Sequence, residues 1–544
     1  MKIPYATCDF AAIRREGYFY VDKTPFIRRL EAADEKHVIF LRPRRFGKST
    51  LISTLQNYYD ILFADKFDER FGGLWIHQNP TPNRNKYLVL TLDFSPVDTY
   101  GDEAKICTSF AWQVKIDVRS FIMRYQKLIP ALSDLLDFVK SDSEDMATLM
   151  SSLLQYIGNA GHQMYLLIDE YDHFGNRLLS DGRDDVYKGL IRSAGFVRSF
   201  YASLKRFTRE STIARTFVTG VSPIMLDDLS SGFNIITHIS NWPLFNGMAG
   251  FTRADVERAV DTLLADKPHL GQDPRIGDRD VLLATLERHY NGYRFSPKAT
   301  EKMYNSTLVL YFLAQLKSDD TYPRNMLDLN VRTDYGRLYG LVTAATAQPL
   351  GTRELLDEIL TNESIEVPLV EQFGTVLPMG RAQIASLFYY MGMLTFGPDS
   401  GSEQVSQLVI PNRVMRELQW SYLSIALAQH DNLRIDMTDI EQSLNTMAKT
   451  GEIQPLLDVF KKQVLERVSN KDLRKFDEKN MKLMLMAYIC QTQVFSVASE
   501  LELMQGYCDL LLGIRSQGSS AKYAWIIEAK YVKTNATPHA IGKA

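Results

Sequence analysis

The first third of the chain alternates short apolar runs with longer stretches whose apolar residues recur at helical spacing. The runs His37–Leu41, Tyr87–Phe94, Met164–Ile168 and Thr216–Val221 are five to eight residues long and sharply bounded. That is the pattern of strands covered on both faces, as in a parallel sheet. Stretches such as Ser143–Ala160 and Arg192–Arg209 between them read as helices. Repeated βα units of this kind predict an α/β sheet with helices on both faces. From about Gly250 to His430 the pattern becomes Leu- and Ala-rich and helical, broken by the turn-like YNGYRFSP and VRTDYGR. A helical lid followed by a small, mainly helical middle module is expected there. Beyond Asp431 a charge-rich helical stretch, Phe460–Met484, leads into strand-like pieces. The expected divisions are residues 1–245, 246–430 and 431–544.

Composition narrows the class without naming it. Of 544 residues, 45% are apolar and 23% charged, which excludes a disordered, collagen-like or low-complexity chain. Lys and Arg number 62 against 65 Asp and Glu, a net charge of −3, so any nucleic-acid contact must be local. Four cysteines without a CxxC pair argue against a disulfide scaffold or structural zinc and fit a reducing compartment. With neither a secretory signal nor an eighteen-residue apolar window, the expected location is cytoplasmic, with no membrane partner.

The segment IFLRPRRFGKSTL runs strand, turn, helix and ends in Gly47-Lys48-Ser49, the close of a phosphate-binding loop of form GxxxxGK[ST]. Gly47 lets the backbone approach phosphates, and the helix start offers them free N–H groups. Lys48 can reach the β and γ oxygens, and the Ser49 hydroxyl can ligate Mg²⁺. Arg45, Phe46 and Thr50 complete the nucleotide-binding candidates. Arg42 stands where the pattern has its first glycine, so the loop reads as more basic and less flexible than usual.

The apolar strand MYLLIDEYD ends in Asp169-Glu170. The aspartate suits Mg²⁺ coordination and the glutamate suits activation of an attacking water. A third strand, TFVTGVSP, carries Thr219, either a γ-phosphate sensor or a buried threonine bonded to backbone. The extra strand YLVLTLDF between loop and acidic motif fits the additional-strand, catalytic-glutamate type of P-loop NTPase. Two sources of a charge-neutralising cation stay open: the run Arg192, Arg198, Lys205, Arg206 and Arg209, and Arg294 of YNGYRF.

A second constellation lies near the end, in GYCDLLLGIRSQGSSAKYAWIIEAKYVK. Its two strand-like runs read as a hairpin. Glu528 and Lys530 share one face, and Asp509 can lie beside Glu528 when the hairpin closes. Asp509 and Glu528 form an oxygen-rich pair suited to Mg²⁺ or Mn²⁺, with Lys530 placed to orient water or steady charge. Because LLL follows Asp509 and Ile526-Ile527 precede Glu528, the acids are expected at the ends of buried strands. A cross-strand Lys–carboxylate pair on an exposed face is the ordinary alternative.

GYFYVDKTPFIRRL, VIFLRPRRFGKSTL, LLIDEYD, FVTGVSPI, SSGFNIITHIS, YNGYRF and YNS, in that order, resemble the prokaryotic AAA-ATPase-like family that carries a C-terminal PD-(D/E)XK nuclease domain. The resemblance spans nearly the whole chain and makes the proline-bearing RPRRFGKS loop the normal form. It implies that Lys48 and Ser49 bind ATP and Mg²⁺, that Asp169 and Glu170 are the metal and water-activating pair, and that Asp509, Glu528 and Lys530 form the nuclease centre. It also implies that Val21-Asp22-Lys23-Thr24 packs near the nucleotide, the alternative being an N-terminal structural cap. Glu500 matches an acidic residue of the family, either a further ligand or a solvent-facing one. The family's Gly-Arg-x-Asp turn is here Gly506-Tyr507-Cys508-Asp509, and the sequence given stops at Ala544, short of the elements such domains usually add.

The fold expected is therefore α/β: an NTPase domain, a helical lid and middle module, and a C-terminal α/β nuclease-like domain that is either truncated or abbreviated at its end. The function expected is ATP binding and hydrolysis coupled to a metal-dependent nuclease acting on DNA. Lys461, Lys462, Arg467, Lys471, Arg474 and Lys475 are candidate phosphate contacts, although interleaved Glu466, Asp472, Asp477 and Glu478 equally describe a solvated helix. The alternative is a nucleotide-dependent switch or scaffold with a degenerate nuclease fold. A homo-oligomer is compatible with either. A small-molecule kinase fits less well, because Glu170 beside Asp169 suits a water nucleophile.

Overall fold

The computed structural model describes residues 1–5, 7–191, 195–225, 235–323, 325–328, 349–373, 379–398, 405–430, 436–465, 485–486, 488–489, 492, 494–503, 506–514 and 521–528. The chain divides into two compact units. One comprises Met1–Gly271, Arg279–Gln348 and Ser364–Asn412; the other comprises Gln272–Asp278, Pro349–Glu363 and Arg413–Ala544.

The first unit is built on a five-stranded sheet of β1 (His37–Leu41), β2 (Leu88–Asp93), β3 (Met164–Asp169), β4 (Ile213–Gly220) and β5 (Thr237–His238), in the order β2-β3-β4-β1-β5. Every neighbouring pair is parallel. β3 is buried along its whole length, which is why its sequence is a continuous apolar run rather than an alternation. The register aligns Asp93 with Asp169, so two carboxylates stand side by side where β2 and β3 end. Carboxyl ends of parallel strands are where α/β sheets open a crevice.

The helices over the sheet are defined by their caps and stripes. Helix Glu103–Tyr125 starts where the Asp102 carboxylate accepts the Lys105 N–H at 3.0 Å, and it buries Phe110, Val114, Val118 and Ile122. Helix Met146–Asn159 starts where Asp145 accepts the Thr148 N–H, and it buries Leu149, Leu153 and Ile157. These caps satisfy backbone N–H groups that the helix leaves unpaired.

Beyond the sheet, the first unit adds helices Arg253–Asp266, Arg279–Tyr290 and Ser306–Asp319. The YNGYRF stretch turns through Gly292, whose φ of +108° and close approach to the Pro411 carbonyl leave no room for a side chain. A small antiparallel sheet, β6 (Ser364–Val367), β7 (Thr395–Phe396) and β8 (Ser406–Val409), follows in the order β6-β8-β7.

The second unit includes helices Pro349–Asn362, Arg413–His430 and Met437–Thr450 and an antiparallel sheet of β9 (Phe495–Leu503), β10 (Gly506–Ile514) and β11 (Trp525–Ile527). β10 lies in the middle. The turn before β11 is anchored where the Lys522 and Tyr523 N–H groups donate to the Ala448 carbonyl. Leu510 and Leu512 are fully buried, but Ile526 is 64% exposed and Glu528 is exposed. The expectation that Ile526 precedes Glu528 within a buried strand is corrected: β11 is a three-residue strand that, among the described residues, pairs with β10 alone, and alternation turns Ile526 outward. Among the described residues no helix is long and apolar enough to cross a membrane.

Candidate functional site

The loop between β1 and helix Lys48–Tyr59 is shaped by two left-handed residues, Arg45 at φ +69° and Gly47 at φ +87°. Its missing first glycine is explained by where Arg42 goes. This side chain is 1% exposed and turned away from the loop's open side. Its guanidinium donates to the carbonyls of Leu41, Ser240 and Phe245 at 2.8 to 2.9 Å and lies between the rings of Phe40 and Phe295. Burial pulls its pKa from 12.5 down to about 9. The expected extra basicity at Arg42 is therefore spent inside the core, because three carbonyls and two aromatic faces there offer a guanidinium more than solvent-facing phosphate would.

Phe46 is the loop's second anchor. Its ring meets Tyr293 and Phe295 edge-on, with centroids 4.9 and 5.2 Å away. Its carbonyl accepts the Gly250 N–H, while the Arg45 carbonyl accepts the Thr307 N–H and the Ser306 hydroxyl. The loop is thus held by segments around Gly250, Tyr293 and Ser306 of the same unit.

A cavity of about 560 Å³ opens beside this loop, within the usual range for a small-molecule site. Arg45, Phe46, Gly47, Lys48, Ser49, Thr50, Asp169 and Glu170 all line it. The Lys48 ammonium folds back onto the carbonyls of Arg42 and Pro43 at 3.1 and 3.2 Å and stands 3.9 Å from the Glu170 carboxylate. Ser49 stands close enough to Asp169 to favour its ionised form. With Asp93 in register and also lining the cavity, the group is an all-oxygen donor set of the kind that suits Mg²⁺.

The two adjacent acids are driven apart electrostatically. Burial and the neighbouring Glu170 charge push the Asp169 carboxyl from 3.8 up to about 6, against Ser49 and Lys48. Burial also opposes ionisation of Glu170, yet His173, Lys48 and Arg44 outweigh it and bring this carboxyl down from 4.5 to about 2. His173 Nδ1 stands 3.8 Å from Glu170, an ion-pair rather than a hydrogen-bond separation. Glu170 also has φ +52°, a conformation that costs a side chain of this kind on the order of 1 kcal/mol. Just beyond, buried Asp172 accepts the N–H groups of Val221 and Ser222 and the Asn176 amide, fixing the turn after β3.

Other expected residues lie elsewhere. Thr219 does not line the cavity; its hydroxyl is fully buried and has no hydrogen-bond partner among the described residues. Arg294, Arg198, Lys205, Arg206 and Arg209 do not line it either, and Arg206 pairs with Glu210 at 2.9 Å. Arg192 lies outside the described residues. The VDKT stretch divides between a structural role and the cavity wall. Asp22 and Thr24 accept the N–H groups of Trp75 and Ile76, a structural role, while Val21 and Lys23 line the cavity. Arg44, Asp93 and His173 were missed in the sequence. Asp93 carried a readable signal, an acid ending an apolar strand just as Asp169 does.

In the second unit the register pairs Leu510 with Ile527 and Leu512 with Trp525. Extended by one step, that register would set Asp509 opposite Glu528, which lies just past the end of β11. Glu500 lies on neighbouring β9. The side chains of Asp509 and Glu500, together with Lys530 and the stretch 466–484 that holds Arg467, Lys471, Arg474 and Lys475, lie outside the described residues.

A protein of Azotobacter chroococcum mcd 1, described as an uncharacterized protein in the vnfD 5' region, is 25% identical to this chain over 465 residues, covering 84% of this chain and 74% of that protein. Residues 4–230 match the model of the family described as Predicted AAA-ATPase. Residues 476–543 match that of the PD-(D/E)XK nuclease superfamily. The chain is thus similar to AAA-ATPase-like proteins in its N-terminal region and to the PD-(D/E)XK nuclease superfamily in its C-terminal region, in the order its motifs imply.

Proposed function

We propose that the first unit binds and hydrolyses ATP and that this activity controls a metal-dependent DNA nuclease centre in the second. The observation that carries the reading is the meeting of Lys48-Ser49 and Asp169-Glu170, from distant parts of the sequence, in one cavity. The strand order supports the additional-strand, catalytic-glutamate subtype, since β4 lies between the strand that feeds the loop and the strand that ends in the acids.

In this reading Lys48 gives up its backbone carbonyls to hold the β and γ oxygens, and the helix start contributes N–H groups. Ser49 and Asp169 would hold Mg²⁺, which supplies charge neutralisation on the phosphates. Glu170, kept ionised by its cationic neighbours, orients the attacking water and accepts its proton. Arg44 and Arg45, rather than the helix Phe196–Arg209, are the cations available to the developing charge. In the second unit Asp509 and Glu528 would hold Mg²⁺ or Mn²⁺, with Lys530 steadying the attacked phosphate.

The test is Mg²⁺-dependent ATP turnover. Lys48→Ala and Glu170→Gln should each lower kcat at least about a hundredfold, with Glu170→Gln still binding ATP. Unchanged turnover in both would refute the assignment. The shortness of β11, whose middle residue Ile526 is exposed, favours a second reading, a nucleotide-dependent switch whose nuclease fold binds without cleaving.

A further inference from the structure

Lys23 is presented to the cavity at the cost of burying an ammonium. Its neighbours on both sides are pinned: Asp22 accepts the Trp75 N–H at 2.7 Å and Thr24 accepts the Ile76 N–H at 3.2 Å. The backbone between them therefore has little freedom. The Lys23 side chain is only 15% exposed, and burial lowers its pKa despite the nearby Asp255. An ammonium has three N–H donors. Among the described residues its one hydrogen bond is long, 3.5 Å to Asp255 Oδ2. That oxygen already accepts the Thr252 N–H at 3.0 Å, because Asp255 closes the capping box of helix Arg253–Asp266. A buried cation with unused donors is unfavourable unless something else completes it.

Position says which part of a ligand would do so. Tyr20, three residues before Lys23, places its hydroxyl 3.4 Å from Thr54 Oγ1. Thr54 lines the cavity six residues along the helix from Lys48, which is about 9 Å at the α-helical rise. The Tyr20 hydroxyl thus marks a part of the cavity away from Lys48, and Val21 and Lys23 of the same segment line that cavity with it. Val21, Met248 and Leu310 give the cavity apolar wall to set against a planar base.

Resting on the nucleotide-binding reading above, we infer that Lys23 donates to an acceptor atom of the nucleoside half of the bound nucleotide and so determines affinity for nucleotide over bare polyphosphate. Because the same ammonium touches Asp255 at the start of a lid helix, occupancy of the nucleoside seat is felt directly by that helix.

The experiment compares equilibrium binding of ATP, 2′-deoxy-ATP and inorganic tripolyphosphate, each with Mg²⁺, to the full chain and to Lys23→Met and Lys23→Arg. Lys23→Met should weaken ATP at least about tenfold, the range of a charged hydrogen bond. It should leave tripolyphosphate unchanged, which also reports an intact fold, and Lys23→Arg should recover part of the loss. A wild-type preference for ATP over 2′-deoxy-ATP that disappears in Lys23→Met places the acceptor on the ribose; equal affinity for the two places it on the base. Equal weakening of ATP and tripolyphosphate, or no weakening of either, overturns the inference while nucleotide binding stands. Wild-type protein that binds neither ligand overturns the nucleotide-binding reading itself.

Discussion

The two candidate centres are built in opposite ways. At the N-terminal cavity the polar groups are fixed before any ligand arrives. Asp169 ends a strand covered on all sides, Lys48 is held by two carbonyls, and Arg42 and Phe46 lock the loop to the segments around it. The neighbouring acids are electrostatically distinct, one raised to about 6 and one lowered to about 2, as the proposed division between a metal-holding and a water-activating acid requires. At the C-terminal hairpin the described pairing stops at Leu510 and Ile527, one step short of Asp509 and Glu528, on a strand of three residues whose middle one, Ile526, is exposed. The contrast teaches that a site can be prepared by burial or by register alone. Burial fixes protonation and geometry together, whereas register fixes only which residues face each other.

The comparison can be broken most severely at Arg42. Arg42→Ala strands three carbonyls and empties a slot between two aromatic rings, so it should destabilise the first unit by about 3 kcal/mol. Chemical denaturation followed by intrinsic fluorescence measures this. A loss below about 1 kcal/mol would mean that the loop is not held by its inward arginine.

A smaller effect sharpens the same point at Asp117, which accepts the Asp93 N–H at 3.2 Å and whose carboxyl burial raises from 3.8 to about 7. A raised folded pKa means that the folded state holds a proton the unfolded chain has released. Stability therefore falls as pH rises from about 4 to about 7, and the cost is complete above that. Asp117→Asn should gain on the order of 1–2 kcal/mol at about pH 8, with the difference vanishing below about pH 4. A gain independent of pH would show that the carboxyl is not the cause.

Much of the first unit could be read in advance because buried parallel strands are written as continuous apolar runs. The cores of four strands and the acids ending β3 followed from that alone. β5, at two residues, is too short to leave a pattern. The inward turn of Arg42 depends on carbonyls some two hundred residues away, and a local reading sees only another basic residue. Ile526 fails for the converse reason: a strand exposed on one face and one buried on both can carry the same short apolar run. Thr219 was expected at the nucleotide from its strand, but strand membership does not decide whether a side chain faces the cavity or the sheet interior.

The central claim, that nucleotide chemistry in one unit controls cleavage by the other, is tested most directly by incubating plasmid and linear DNA with Mg²⁺ or Mn²⁺, with and without ATP. Wild type is compared with Lys48→Ala and Asp509→Ala. The account predicts cleavage that disappears in Asp509→Ala, where ATP turnover persists, and that loses its ATP dependence in Lys48→Ala. ATP turnover with no cleavage under any of these conditions would contradict it and leave the nucleotide-dependent switch.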